Sequence, residues 1–344
     1  MPIALAYRQV VLPNPDPSPG GTGDGQDYGD ACSILVPADL TQFGLLRSMT
    51  SGGEEMPEDS APVWDAGATY IAGDRVYLPA THRVYESVKD GNTGKDPSQV
   101  VNQYNASGAP TWWIDIGPTN RYAMFDGLVS TQTSAPSPLT VTLTPGSFNG
   151  FALFGLDADS YSIEIRDMPG GEIYYAETDV PLEGSAPADY YEYFFERFKP
   201  RRQFIRAGLD PYADAELTIT FYKGSGDVKV GMFAIGDLRP VGIPQRDASV
   251  EPQDFSYVKQ DAFGNTTVQK RANATGMTIT TKMYKDDAGA VLDTVKEVLG
   301  VPVVVVGSQA QEFEWLTVFG LVSGRMSPAE FPYATLNISV KGFI

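Results

Sequence analysis

A chain of 344 residues with 43 acidic against 25 basic side chains carries a net charge of −18. Nucleic-acid binding replaces phosphate counterions with Lys and Arg, so this balance argues against a DNA or RNA partner. One cysteine, Cys32, excludes an internal disulfide, and one histidine, His82, leaves little for a His-based catalytic device or a His-rich zinc site. His82 stands in the polar run LPATHRVY and is expected to be a solvated turn residue.

The length sets a prior of two to four domains. Residues 1–60 open on a strand-like run, IALAYRQVVL, followed by PNPDPSPGGTGDGQDYGD, which holds too few apolar residues to pack by itself. ACSILVPADL returns as a second short strand, and TSGGEEMPEDSAP reads as a linker. No basic region precedes a long apolar run at the N-terminus. No stretch approaches the roughly 20 apolar residues that span a bilayer. These features predict synthesis in a cytoplasm without a signal peptide, and no membrane insertion.

Residues 61–120 form an aromatic-rich segment that begins PVWDAGATYIAGDRVYLPATHRVYESVKDGNTGKDP and closes on PTWWIDIGPTNRY. RVYL and HRVYESV read as short strands around a turn. In so small a unit Val76, Val84 and some of the rings must fill the core. Adjacent residues on a strand point to opposite faces, so of Trp112 and Trp113 one is core and the other is exposed or at an interface.

From 121 to 248 the alternation lengthens. In YSIEIRDMPGGEIYY, Tyr161, Ile163 and Ile165 alternate with polar residues, MPGG turns the chain, and Ile173 and Tyr175 resume the pattern: a hairpin. ELTITFYKGSGDVKVGMF repeats the form, with Leu217, Ile219 and Phe221 before KGSGD and Val228 and Val230 after it, and predicts a second hairpin. Several such units predict a β-sandwich or jelly roll.

Residues 249–344 contain the one convincing helix, in DDAGAVLDTVKEVLGVPVVVVG. Val291, Leu292, Val295, Val298 and Leu299 fall at helical spacing, Asp286 or Asp287 caps the start, and Gly300 with Pro302 ends it. The run 301–306 is a buried strand, so the helix is expected to pack on a sheet in an α+β assembly domain. The closing LNISVKGFI is an alternating strand, tied into its own sheet or lent to a neighbour. The fold class expected is mainly β and multi-domain: a small aromatic module, a sandwich, and a C-terminal α+β unit.

The series Trp64, Tyr70, Gly73–Asp74, Val76, Tyr85, Pro97 and Trp112–Trp113 resembles the small chitin- or cellulose-binding modules of carbohydrate-active enzymes, over residues 62–116. That resemblance implies a small three-stranded unit and a carbohydrate-binding set of Trp64, Tyr70, Tyr85, Trp112 and Trp113. The insertion SQVVNQYNASGA departs from the pattern. A sugar platform and a purely structural or protein-docking role both stay open for these rings. The phrase WWIDIGPTNRYAMFDG looks like a segment of bacteriophage tail proteins. The strands beyond it resemble a galactose-binding-like jelly roll, and the C-terminal region looks like the β-rich domains of tail-tip and baseplate proteins.

What these likenesses imply is a non-enzymatic structural protein of the virion tail (tail tip, baseplate or fibre attachment). Its implied partners are other tail proteins, further copies of itself and host-surface polysaccharide. The alternative is a glycan-binding adhesin or a glycan hydrolase with an appended binding module, for which Glu192 and Glu196 are the candidate carboxylates. No cofactor or metal is expected: GGTGDGQDYGD lacks the D-x-D-x-D-G spacing of a calcium loop. The sequons at 265–267 and 273–275 carry meaning only on a secretory route. FKPRRQFIR is the only basic cluster and is expected to dock an acidic neighbour.

Overall fold

The computed structural model describes residues 31–38, 46–182, 201–260, 266–269, 273–308 and 311–343. The run IALAYRQVVL, the loop after it, and Glu192 and Glu196 lie outside these residues. The described chain is mainly β, with two α-helices, Val100–Gln103 and Ala288–Glu297.

Two antiparallel sheets make the body. The larger has ten strands. Its order runs from the edge strand Gln203–Ala207 through Gly150–Phe154, Met232–Pro240, Ser33–Pro37, Pro302–Val306, Thr317–Pro328 and Tyr333–Gly342 to Asn273–Tyr284, on whose outer edge lie Ile243–Pro244 and Ser249–Asp254. The smaller has six strands, in the order Ile173–Pro181, Ser160–Arg166, Glu216–Tyr222, Leu139–Leu143, Leu46–Ser51 and Glu54–Glu55.

Period-two alternation assigns the cores. Phe151, Leu153, Phe233 and Ile235 on one face of the large sheet meet Leu139, Val141, Ile163, Ile165, Leu217, Ile219 and Phe221 from the small sheet. This is the expected sandwich. On the same face farther along, Ile34, Val303, Val305, Ile279, Ile338 and Val340 are covered by Val291 and Val295 of the helix Ala288–Glu297 and by its C-cap residue Val298. The helix therefore packs on the sheet as its spacing predicts. Asp287 occupies the N-cap position without a side-chain cap bond, and Leu299 is exposed.

The opposite face carries Leu35, Ala152, Phe154, Ala234, Val304, Val306 and Phe319, all buried. Phe154 and Phe319 lie four strands apart in sheet order, which in a flat sheet means about 19 Å. Their ring centroids are 6.0 Å apart. The large sheet is therefore curled, and this face is the inside of the curl.

Several expectations from the sequence are corrected. The first predicted hairpin forms, Ser160–Arg166 pairing with Ile173–Pro181. The second does not: Glu216–Tyr222 takes Leu139–Leu143 and Ser160–Arg166 as its two neighbours, while Asp227–Val230 pairs with Thr133–Pro136. A strand buried at the centre of a sheet needs a partner on both edges, and the strands that satisfy it are distant in sequence. TSGGEEMPEDSAP is not a linker, because it holds the end of Leu46–Ser51 and all of Glu54–Glu55, and Met56 enters the sandwich core. Residues 60 and 248 are not sheet boundaries either. Ser33–Pro37 lies between Met232–Pro240 and Pro302–Val306 and joins the segments expected at 121–248 and 249–344 into one sheet. The C-terminal strand Tyr333–Gly342 is tied into that same sheet on both edges.

Candidate functional site

The aromatic segment folds as a compact appendage between Glu54–Glu55 and Leu139–Leu143 of the small sheet. Arg75–Leu78, Arg83–Ser87 and Trp113–Pro118 form the expected three-stranded sheet, and Thr69–Tyr70 pairs with Asn92–Thr93 beside it. Gly73 turns the chain into the first of these strands at φ +92°, a conformation that glycine adopts without a Cβ penalty.

The five rings of the candidate sugar set divide between the module's core and its flank. Tyr70, Tyr85 and Trp113 are buried with Val76 and Leu78, and these five residues are the module's core. Trp113 meets Tyr70 edge to face at 5.2 Å, and its Nε1 donates to the Lys95 carbonyl at 2.6 Å. A buried ring has no face left for a pyranose. Trp64 and Trp112 pack against the core from outside. Trp112 points to the opposite side from Trp113, as strand geometry requires, but its ring is already occupied: Lys89 Nζ sits 3.7 Å from the ring centroid and Lys95 Nζ 5.3 Å. The insertion SQVVNQYNASGA supplies the short helix Val100–Gln103, whose Asn102 and Gln103 carbonyls accept the N–H groups of Trp112 and Thr111. Packing accounts for Tyr70, Tyr85 and Trp113, and Trp112 carries the two lysine contacts.

His82 is not the solvated turn residue expected. It is half-buried at φ 53°, stacked on Tyr122 at 3.7 Å, with Nδ1 2.9 Å from Glu58 Oε1. Asn120 N–H donates to Asp59 Oδ2 at 2.9 Å, and Asn120 Oδ1 accepts the Ser134 N–H at 2.9 Å. These contacts fix the module at its junction with the body.

A second cluster was not legible in the sequence. Glu177, on the outer strand of the small sheet, accepts hydrogen bonds from Tyr161 at 2.5 Å, from Tyr175 at 2.9 Å and from Arg206 Nε at 2.9 Å. Arg206 comes from Gln203–Ala207, the edge of the large sheet, so the cluster fastens the two sheets of the sandwich together. Phe204 stacks on Tyr161 at 4.5 Å and closes the apolar side. Burial pushes the Glu177 carboxyl up, but the bonds from Arg206, Tyr161 and Tyr175 outweigh it and hold the group below its ordinary range. Burial raises the Tyr175 hydroxyl to about 12, helped by the Glu177 charge, so it remains a donor. The basic run FKPRRQFIR accordingly finds acidic partners inside the chain: Arg206 pairs with Glu177 and Arg201 with Glu314.

A cleft of about 440 Å³ lies where one end of the small sheet meets its loops. Arg47, Thr144 and Asp214 line it together with Met168, Pro169 and Ala213. No spacing in the sequence announces it, since its residues come from the strand Leu46–Ser51 and three separate loops. Among the described residues no three His, Cys, Asp or Glu side chains converge as a metal site requires, and no helix is long and apolar enough to cross a membrane. Neither a protein-family model nor a curated protein sequence matches the chain.

Proposed function

We propose that this chain is a non-enzymatic architectural subunit of a phage virion tail, at the tail tip, the baseplate or a fibre attachment, where it assembles with other tail proteins. The observation that carries the reading is one continuous curled sheet acting as a rigid frame, from which a separately cored aromatic module and a free β-ribbon project. A frame with appendages suits a protein that works by holding others in place. The likeness of residues 112–127 to tail proteins supplies the setting. The test is antibody labelling of tailed particles in electron micrographs. Label is expected at the distal end of the tail, and particles that stay bare while the antigen remains in the soluble fraction would sink the reading.

Contact with host-surface glycans is a second reading, now attached to the cleft at the end of the small sheet instead of the buried rings. Its volume lies in the range of small-ligand sites, and Arg47 with Asp214 offers donor and acceptor groups over an apolar Met168–Pro169 wall. On a glycan array the full chain is expected to bind saturably, and Arg47→Ala with Asp214→Ala to lose at least tenfold in affinity. Binding that the double variant leaves unchanged excludes this cleft.

A further inference from the structure

Val100 and Val101 are 71% and 73% exposed, more than any other valine among the described residues. They stand on the short helix Val100–Gln103, inside the insertion SQVVNQYNASGA, and take no part in the module's core. Backbone hydrogen bonds fix them beside Trp112. Thr111 Oγ1 donates to the Val101 carbonyl at 3.0 Å, and Trp112 N–H donates to the Asn102 carbonyl at 3.0 Å. Val88 N–H in turn donates to the Trp112 carbonyl at 2.9 Å, and Val88 is 36% exposed. Trp112 therefore stands between two segments that each carry bare valine. Apolar side chains gathered in this way on a module with its own core are placed to be covered from outside the chain.

Charge indicates by what. Lys89 and Lys95 hold their ammonium groups over the Trp112 ring. Among the described residues the lysine ion pairs belong to Lys223 and Lys296, and Lys89 and Lys95 make none. Their neighbours Asp90 and Asp96 are turned to backbone instead, accepting from the N–H groups of Ala72 at 3.0 Å and Ser98 at 2.8 Å. Two cations without a carboxylate, beside an aliphatic patch, complement a surface that is both acidic and apolar. A tryptophan amid aliphatic groups with charge at the rim is also the anatomy of a protein contact. Other occupants match it less well. A pyranose would meet a ring already faced by lysines, and valines offer its hydroxyls no hydrogen bond. An anionic bilayer attracts clusters of about four to eight basic residues and repels a chain of net −18.

We propose that this face of the module is a docking surface for an acidic, aliphatic segment of another protein. The segment's apolar side chains cover Val88, Val101 and the edge of Trp112, and its carboxylates pair with Lys89 and Lys95. The inference stands on the exposure, placement and charge of these residues and does not depend on the tail reading.

Fluorescence anisotropy with the full chain and labelled twelve-residue peptides tests it. The peptides alternate leucine with glutamate, with lysine or with serine. The leucine–glutamate peptide is expected to bind saturably, to weaken at high salt as the charge attraction is screened, and to bind at least tenfold more tightly than the other two. Val101→Asp should cost that peptide at least tenfold in affinity. Lys89→Glu with Lys95→Glu should transfer the preference to the leucine–lysine peptide. Melting temperatures should be unchanged, because none of these three residues belongs to a core. Failure of the leucine–glutamate peptide to bind, or binding that both variants leave intact, would overturn the proposal. So would binding of phosphatidylserine vesicles or a chito-oligosaccharide, or self-association of the wild type, that Val101→Asp abolishes, since each gives the face to a different occupant.

Discussion

Replacing Trp113 with alanine is expected to unfold the aromatic module while leaving the two-sheet body folded. Trp113 is the largest fully buried side chain among the described residues, and its buried core neighbours are Tyr70, Val76, Leu78 and Tyr85. Truncating a buried Trp removes roughly 3–5 kcal/mol. A core of this size holds a margin of about that magnitude. The substitution also strands the Lys95 carbonyl that accepts from Nε1. Hydrogen exchange should therefore lose protection across Arg75–Leu78, Arg83–Ser87 and Trp113–Pro118, with Leu139–Leu143 and Ser160–Arg166 unaffected. Trp112→Ala should cost only about 1 kcal/mol, since that ring is half-buried and loses chiefly its lysine contacts. A Trp113→Ala chain whose module stays as protected as the wild type would refute the assignment of core and surface, as would equal damage from Trp112→Ala.

Arg206→Met is expected to lower stability by roughly 2–3 kcal/mol at neutral pH, because it leaves a partly buried Glu177 carboxylate without its cation. For a body of this size the corresponding fall in melting temperature is about 5–10 °C. The loss should depend on pH with a definite sign. In the wild type Glu177 is held below its ordinary range, so it contributes stability above the unfolded value of about 4.3, lost as pH falls through the lower folded value. Without Arg206 burial becomes the larger influence, the folded value rises above the unfolded one, and ionisation then opposes folding. The melting-temperature gap between variant and wild type should consequently narrow as pH is lowered through the carboxylate range. A gap that stays constant with pH would show that Arg206 acts only through its guanidinium lying over the Phe204 ring.

The same two sites show how far a linear reading reaches. Trp112 and Trp113 could be assigned to opposite faces from strand geometry, but which of them is core depends on Lys95, whose carbonyl meets Trp113 and whose ammonium sits by Trp112. Arg206 and Glu177 are 29 residues apart, and neither lies in a recognisable motif. Their pairing exists because two sheets end side by side. His82 was placed correctly in a turn and wrongly in solvent, because Tyr122 and Glu58, which enclose it, come from the other end of the module and from the segment before it.

By itself the sequence determined what is local. Alternation specified the strands and the hairpin Ser160–Arg166 with Ile173–Pro181, the spacing of Val291, Val295 and Val298 specified the buried stripe of the helix, and the aromatic-rich run specified a small unit with a minimal core of its own. Only the tertiary structure decided which strand stands beside which. It set Ser33–Pro37 at the middle of the large sheet, separated Glu216–Tyr222 from Asp227–Val230, curled the sheet so that Phe154 meets Phe319, and left the ribbon at Tyr257 uncovered. The physical reason is that side-chain periodicity encodes burial along one strand, whereas the backbone groups at its two edges are chemically alike in every strand and take partners only through the packing of the whole.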